Sequence, residues 1–317
     1  MIYKRMNGRL GNQLFQYATI RAFQLKYRPN EEIILDFKDV YKLGNKEDGF
    51  CNSLKNFNLP EDIKYIDNYK MELFPWLLFL FYKFMCLILK IFDFSKNYIY
   101  KRNKLELKIA PFYMKNGVYI YTDGFYEFKN CNKKNLYFFG YYESSKYFSD
   151  IKNVLRDELI PKIKITQFEI LDEIEKQNSV CVSIRGGDFL SDKFIKDYYV
   201  CTPEYYCKAI KILNSTLKNP VFYIFSDDIP WVKKNIDFGN IKVIYEMEGY
   251  NLFDKLSLMS SCKHFILSNS SFSFWAQFLC NNLQKKVIAP NKWSNKIINP
   301  DIYENSWIKI SVDKEEK

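Results

Sequence analysis

Four stretches of this 317-residue chain gather residue types suited to handling an anion. The first is VCVSIRGGDFLSDK, 180–193, a β-branched run that ends on Arg185, Gly186, Gly187 and Asp188. An Arg fork at a strand tip can hold two oxygens of a diphosphate, and two glycines leave backbone N–H groups unshielded. The same residues can instead make a tight turn stapled by an Arg185–Asp188 pair. The second is NGRLGNQ, 7–13, where Gly8, Gly11 and Asn12 lie between a strand and a helix whose N-terminus points at the turn. Glycines in such a turn can also be purely structural.

The third stretch, FSDD, places Ser226, Asp227 and Asp228 at the end of a strand. Adjacent carboxylates repel each other and call for donors such as a ribose or a guanine edge. Alternatively, Ser226 and Asp227 cap the helix that starts near Ile229. The fourth is the longest, 251–275. It holds Asp254 on a helix, then a strand, then the hydroxyl-rich turn Ser268-Asn269-Ser270-Ser271 before another helix. Ser270 and Ser271 can meet a phosphate through hydroxyls and free N–H groups, and Phe272 can stack on a base. Phe274 and Trp275 read as core.

Composition removes several chemistries. His264 is the only histidine, which excludes an H-E-x-x-H zinc site and leaves little room for a Ser-His-Asp triad or a His-Cys metal cluster. No D-x-D sequence is present. The work must fall to carboxylates, Arg, Lys, hydroxyls and backbone dipoles. A formal charge of +10 favours an anionic partner without choosing between nucleotide, nucleic acid and membrane. The eight cysteines include no C-x-x-C pair, and several sit in apolar runs, as expected of reduced thiols in a cytoplasmic protein. Met1 leads directly into IYKRM, so no signal peptide is expected.

Stepping outward, the second half alternates strand-like runs (180–185, 221–225, 241–245, 264–267, 286–289) with helical stretches (about 203–217, 229–236, 252–261, 272–283). Such spacing predicts βαβ units and a parallel sheet. Thr202 followed by Pro203 reads as a capped helix start. The first half opens the same way: strand 2–5, helix from about Asn12 to Tyr27 with Leu14, Phe15, Ala18, Ala22 and Leu25 on one face, and strand 32–36. Residues 37–72 give no clear pattern. Residues 73–92, LFPWLLFLFYKFMCLILKIF, have an uncharged run too short to span a bilayer. They read either as a core helix or as one lying on a membrane surface or partner.

The ordered set GRLGNQLFQYA, VSIRGGDF, FSDDIPWVKKNI, NLFDKLSLMSSCKHFILSNSSFSFWA and VIAPNKW resembles the bacterial α-1,2-fucosyltransferases of glycosyltransferase family 11. The likeness covers nearly the whole chain apart from about 37–150. It implies a GT-B-like α/β fold with two Rossmann-like parallel-sheet domains facing a cleft. An acceptor-side domain would span 1–165, with a variable insertion at about 37–150, and a GDP-sugar domain would span 166–317. It implies GDP-fucose as donor, inversion, a galactose 2-hydroxyl as acceptor, and no metal. The family's H-x-R-R-x-D motif puts its first Arg on Arg185 and its Asp on Asp188, the catalytic candidates. Its His and second Arg fall on Ser183 and Gly186, two departures. The family's W-W-G-A-W reads F-W-A-Q-F here, a difference in packing. Gly11, Asn12, Ser226, Asp227, Asp228, Ser270, Ser271 and Phe272 remain donor-binding candidates. Asp254 is implied as a guanine contact, and Asn12 is implied at the sugar-phosphate end.

The acceptor base is not assigned: Asp188 and acidic residues of the first half both qualify. Bacterial relatives act on surface-polysaccharide repeats carried on lipid, so the expected partners are GDP-fucose and a galactose-containing oligosaccharide or lipid-linked glycan. The expected location is the cytoplasm, with 73–92 as a peripheral contact to the inner membrane. Two rivals remain: an inactive or differently specific GDP-sugar-binding relative, suggested by Ser183 and Gly186, and a basic nucleic-acid-binding protein, which lacks any basic stripe or recognition motif.

Overall fold

The computed structural model describes residues 1–45, 49–92, 98–122, 124–162, 166–187, 191–192, 195–296 and 300–313. The chain divides into two compact units, Met1–Ile160 with Ile297–Tyr303, and Pro161–Lys296 with Glu304–Lys317.

The first unit runs β1 (Ile2–Arg5), α1 (Leu10–Tyr27), β2 (Ile33–Asp36), α2 (Lys38–Gly44), β3 (Ile63–Ile66), α3 (Leu73–Phe92), α4 (Tyr98–Lys115), β4 (Val118–Ile120), β5 (Leu136–Phe139) and α5 (Lys152–Glu158). Its sheet has the order β3-β2-β1-β5-β4, every pair parallel. Three of the five strands therefore come from the region read as a variable insertion. They are three or four residues long, and β3 is half exposed, so their pattern is too short to register as strands. The late segment Ile297–Tyr303 belongs to this unit: Ile302 is fully buried and Asp301 pairs with Lys146 at 2.7 Å.

Helix α1 is buried far beyond the single apolar face read from the sequence. Gln13, Gln16, Arg21 and Gln24 are buried as well, each hydrogen-bonded. Arg21 and the Tyr17 hydroxyl converge on Glu158 of α5, at 2.7 and 2.5 Å, which ties α5 to α1. Buried polar groups need such partners, and in the sequence their polarity hides the burial.

The second unit runs α6 (Phe168–Lys176), β6 (Asn178–Ile184), α7 (Ile195–Tyr198), α8 (Pro203–Thr216), β7 (Pro220–Ser226), α9 (Ile229–Asn235), β8 (Val243–Tyr245), α10 (Leu252–Ser261), β9 (His264–Ile266), α11 (Ser271–Leu279), β10 (Val287–Pro290) and β11 (Ile308–Ile310). Its parallel sheet has the order β11-β10-β9-β6-β7-β8. Counted from β6 this is the 3-2-1-4-5-6 order of a dinucleotide-type fold, whose switch point lies between β6 and β9. Strands β6 and β7 are buried on both faces, as parallel central strands require. Val180, Val182, Phe222 and Ile224 meet Tyr206, Ala209, Ile210 and Leu213 of α8 in the core. Pro203 opens α8 as expected, but the Thr202 side chain makes no cap bond. Its hydroxyl instead supports the Glu204 carboxylate and lowers that group's pKa.

Among the described residues no cysteine forms a disulfide. His264 uses both ring nitrogens structurally: Nδ1 accepts from the Lys286 N–H at 3.0 Å, and Nε2 lies 3.2 Å from Asn178 Oδ1.

Candidate functional site

Ligands of open parallel sheets bind beyond the carboxyl ends of the strands, at the switch point. In the second unit that edge carries, in spatial order, the segments after β9, β6, β7 and β8. Three of the four sequence stretches thus send residues to one place. After β6 comes Arg185, half-buried, with Nη1 3.1 Å from Asp227 Oδ2 after β7. The other oxygen of Asp227 accepts the Gly186 N–H at 2.8 Å. Asp188 lies outside the described residues, and the anticipated Arg185–Asp188 staple with it; among the described residues Asp227 pairs with Arg185.

This geometry corrects the reading of the two glycines. The Gly186 N–H is already spent on Asp227. A Cβ on Gly187 would stand 2.9 Å from Asp227 Oδ2, and one on Gly186 would stand 3.3 Å from the Asp228 Cβ. The glycines therefore make room for two packed aspartates, and Gly186 offers no free N–H to a ligand.

The two aspartates divide their work. Asp228 caps α9, its Oδ1 accepting the Trp231 N–H at 2.9 Å, and the Ser226 hydroxyl accepts the Asp228 N–H at 3.0 Å. The capping alternative is thus realised by Asp228, with Ser226 buttressing it, while Asp227 faces Arg185. Behind them lies a pair that sequence reasoning missed. Glu246 after β8 accepts the Ser226 N–H at 3.2 Å and pairs with Lys255 of α10 at 2.9 Å; Lys255 also donates to the Ser226 carbonyl at 3.3 Å. Burial raises the Glu246 pKa, and Lys255 pulls it back.

Across the switch point, the turn after β9 is held rigidly. Ser268 and Asn269 are buried, and the Asn269 amide donates to the carbonyls of Tyr198 and Trp293, both at 2.9 Å. The VIAPNKW stretch therefore serves as an anchor for this turn. Ser183, standing where the family carries His, has its Oγ 3.4 Å from Ser268 Oγ, linking the β6 and β9 tips. Ser270, Ser271 and Phe272 are partly exposed, and the Ser270 side chain does not cap α11. Among the described residues no side chain caps the first N–H groups of that helix, and the positive end of its dipole lies behind them. Phe274 and Trp275 are fully buried core, as read.

Asp254 is held by protein partners. It is 2% exposed, and its carboxylate is engaged by Asn251 Nδ2 at 2.6 Å and Thr166 Oγ1 at 3.0 Å. In this conformation it buttresses the α10 N-terminus, with no face open to a base.

In the first unit, Gly8 has φ +76°, and a Cβ there would stand 2.5 Å from Asn12 Nδ2. Gln16 clamps this turn through the Asn7 N–H and carbonyl, and Gln13 holds it through the Gly8 carbonyl at 2.9 Å. Gly11 is buried inside α1 and Asn12 is half-buried beneath Gly8. The sheet's own switch point lies between β1 and β5. There the fully buried Lys4 donates to the Arg5 carbonyl at 2.6 Å and lies over the ring of Tyr142, whose φ is +58°. Burial pushes the Lys4 pKa well down. Nothing in the sequence marks this lysine apart from the many others.

A family model described as glycosyl transferase family 11 matches residues 1–311. The chain belongs to that family. It is 30% identical over 316 residues to an alpha-1,2-colitosyltransferase of Escherichia coli, covering 98% of this chain and 99% of the relative. It is 25% identical to the O-antigen biosynthesis glycosyltransferase WbnK of Escherichia coli, over 98% of this chain and 100% of that one. Its fold is similar to that of NodZ alpha-1,6-fucosyltransferase soaked with GDP-fucose, with a TM-score of 0.54 at 12% identity over 94% of this chain and 99% of the other. This family 11 chain is therefore a glycosyltransferase with a GT-B-like pair of parallel-sheet α/β units.

Proposed function

We propose that this protein transfers L-fucose from GDP-fucose, with inversion, to the 2-hydroxyl of a galactoside during surface-glycan synthesis on the cytoplasmic side of the membrane. One observation carries the reading: Arg185 and the uncapped α11 N-terminus at Ser270–Ser271 flank the β6/β9 switch point of a dinucleotide-type sheet. Negative charge grows on the departing GDP, and a cation plus a positive helix end stabilise it. Phe272, partly exposed beside them, is offered as the base-stacking ring. The acceptor hydroxyl loses its proton to a carboxylate, for which Asp188 and acidic residues of the first half stay equal candidates. We propose no metal: Asp227 faces Arg185 and Gly186, and Asp228 caps α9, so charge compensation falls to the protein's own donors.

Colitosyl transfer is the second reading, favoured by the similarity to the colitosyltransferase over nearly the whole chain. Colitose is L-fucose without its 3-hydroxyl, so one donor-site hydrogen bond separates the two. Purified protein is to be incubated with GDP-fucose or GDP-colitose and a panel of β-galactosides, with NMR of the product. An α-1,2-fucosyl product supports the first reading, and preference for GDP-colitose supports the second. Binding of GDP without transfer indicates an inactive relative. Salt-resistant polynucleotide binding with no GDP affinity sinks both.

A further inference from the structure

Helix α3 is apolar on its inward side and, apart from Lys83 and Lys90, on its outward side as well. Its inward stripe packs on the sheet: Phe79 stacks on Phe139 at 3.9 Å, and Leu78 and Tyr82 join the cluster of Val118 and Ile120. The opposite side faces outward. Leu73 is 70% exposed, and Phe81, Phe84, Leu87 and Ile91 are each more than half exposed. A helix apolar on both sides belongs in a core or in lipid, and large contiguous apolar patches mark interaction surfaces. On α4, Leu107 and Phe112 extend the exposed surface.

Charge selects the occupant. Helices α3 and α4 carry Lys83, Lys90, Lys101, Arg102, Lys104, Lys108 and Lys115 against one carboxylate, Glu106. Glu106 is fully buried, accepting from the Tyr82 hydroxyl at 2.6 Å and from the Thr122 N–H and hydroxyl at 2.9 and 2.7 Å. Arg102 turns inward to Glu106 at 3.6 Å, so the charges that α3 and α4 present outward are their lysines, set among apolar residues. We propose that α3 and α4 dock on an anionic lipid surface, α3 lying in the plane of the interface with its outward residues in the acyl boundary and its lysines at the headgroups.

A second copy of the chain is a poorer occupant, since mating two such faces would bring like charges together. Insertion across the bilayer is also disfavoured. Leu73–Ile91 is long and apolar enough by length and composition. Yet its inner stripe is fastened to the fold by the Tyr82–Glu106 bond and by the Tyr113 hydroxyl donating to the Leu78 carbonyl at 3.0 Å.

The test is flotation with vesicles, using phosphatidylcholine with or without about one third phosphatidylglycerol. It uses no nucleotide or sugar, so its outcome is independent of the transfer reading. The full chain is expected to float with anionic vesicles and to be released by high salt. The triple variant Phe81→Glu, Phe84→Glu, Leu87→Glu, altered only at exposed positions, is expected to bind at least tenfold more weakly with its circular dichroism and Tm retained. In the unaltered chain, Trp76 fluorescence is expected to be quenched by acyl-brominated lipid, with Trp76→Phe as the control. Equal flotation of wild type and variant, or none of either, overturns the proposal. So does a wild-type dimer that the variant makes monomeric while neither binds vesicles.

Discussion

Replacing Arg185 with Ala separates a structural role from a functional one, because the two carry different magnitudes. Its guanidinium pairs with Asp227 at 3.1 Å, and both side chains are 27% exposed. Two unit charges at such a distance attract by about 5 kcal/mol at an effective dielectric near 20 and about 1.3 kcal/mol in water. Solvent reaches both partners, so the net contribution to folding is about 1 kcal/mol or less. For a chain of this size that lowers Tm by about 1–2 °C at most. The proposed role demands more: losing one preorganised anion-stabilising donor costs about 2.7–4 kcal/mol, roughly 10²–10³ in turnover. Initial rates of transfer from GDP-fucose, read beside a thermal melt, compare the two directly. A hundredfold or greater loss with a nearly unchanged Tm is expected. Transfer within tenfold of wild type, or a loss that merely tracks unfolding, would refute the reasoning.

Asp227→Asn keeps an acceptor for the Gly186 N–H and removes the competing anion from Arg185, so GDP should bind more tightly and turnover should change by less than about tenfold. A loss as deep as that of Arg185→Ala would place Asp227 on the reacting atoms. Glu158→Ala leaves Arg21 with Gln24 and a longer contact to Asp62 at 3.4 Å, so a cost near the lower end of about 3–5 kcal/mol should appear as a shifted urea midpoint. Burial, then Lys286 and Lys263, lower the His264 pKa. Below about pH 6.5 the unfolded chain binds a proton that the folded ring resists, so stability should fall as pH drops from there. His264→Gln should flatten that decline in urea titrations run at several pH values.

The second unit was largely legible because β6 and β7 are seven residues long and buried throughout, and because the shorter apolar runs of β9 and β10 alternate with clear helices. The first unit was legible only through α1 and its flanking strands. Strands β3, β4 and β5 are too short to show a period, and the buried glutamines of α1 read as surface. Within the site, the strand-tip positions followed from chain order alone. The partners did not: that Arg185 meets Asp227 depends on how β6 and β7 lie side by side, a pairing that no local pattern encodes. Lys255 and Glu246 were missed for the same reason. The partners of Asp254 were not legible either, because a helix-borne carboxylate looks alike whether it faces a ligand or a neighbouring threonine.

The return of Ile297–Tyr303 to the first unit has a practical consequence for anyone recombining these enzymes. The backbone passes between the units at three points, so neither is one continuous piece of chain. Expression of 1–160 alone would omit Ile302 and the acidic partner of Lys146. A chimera that exchanges the nucleotide-type unit must therefore graft 161–296 and 304–317 as two separate inserts and leave the seven residues between them with the recipient. A single-crossover swap near 160 would give the recipient's first unit a foreign closing segment, and its failure to fold would say nothing about sugar specificity.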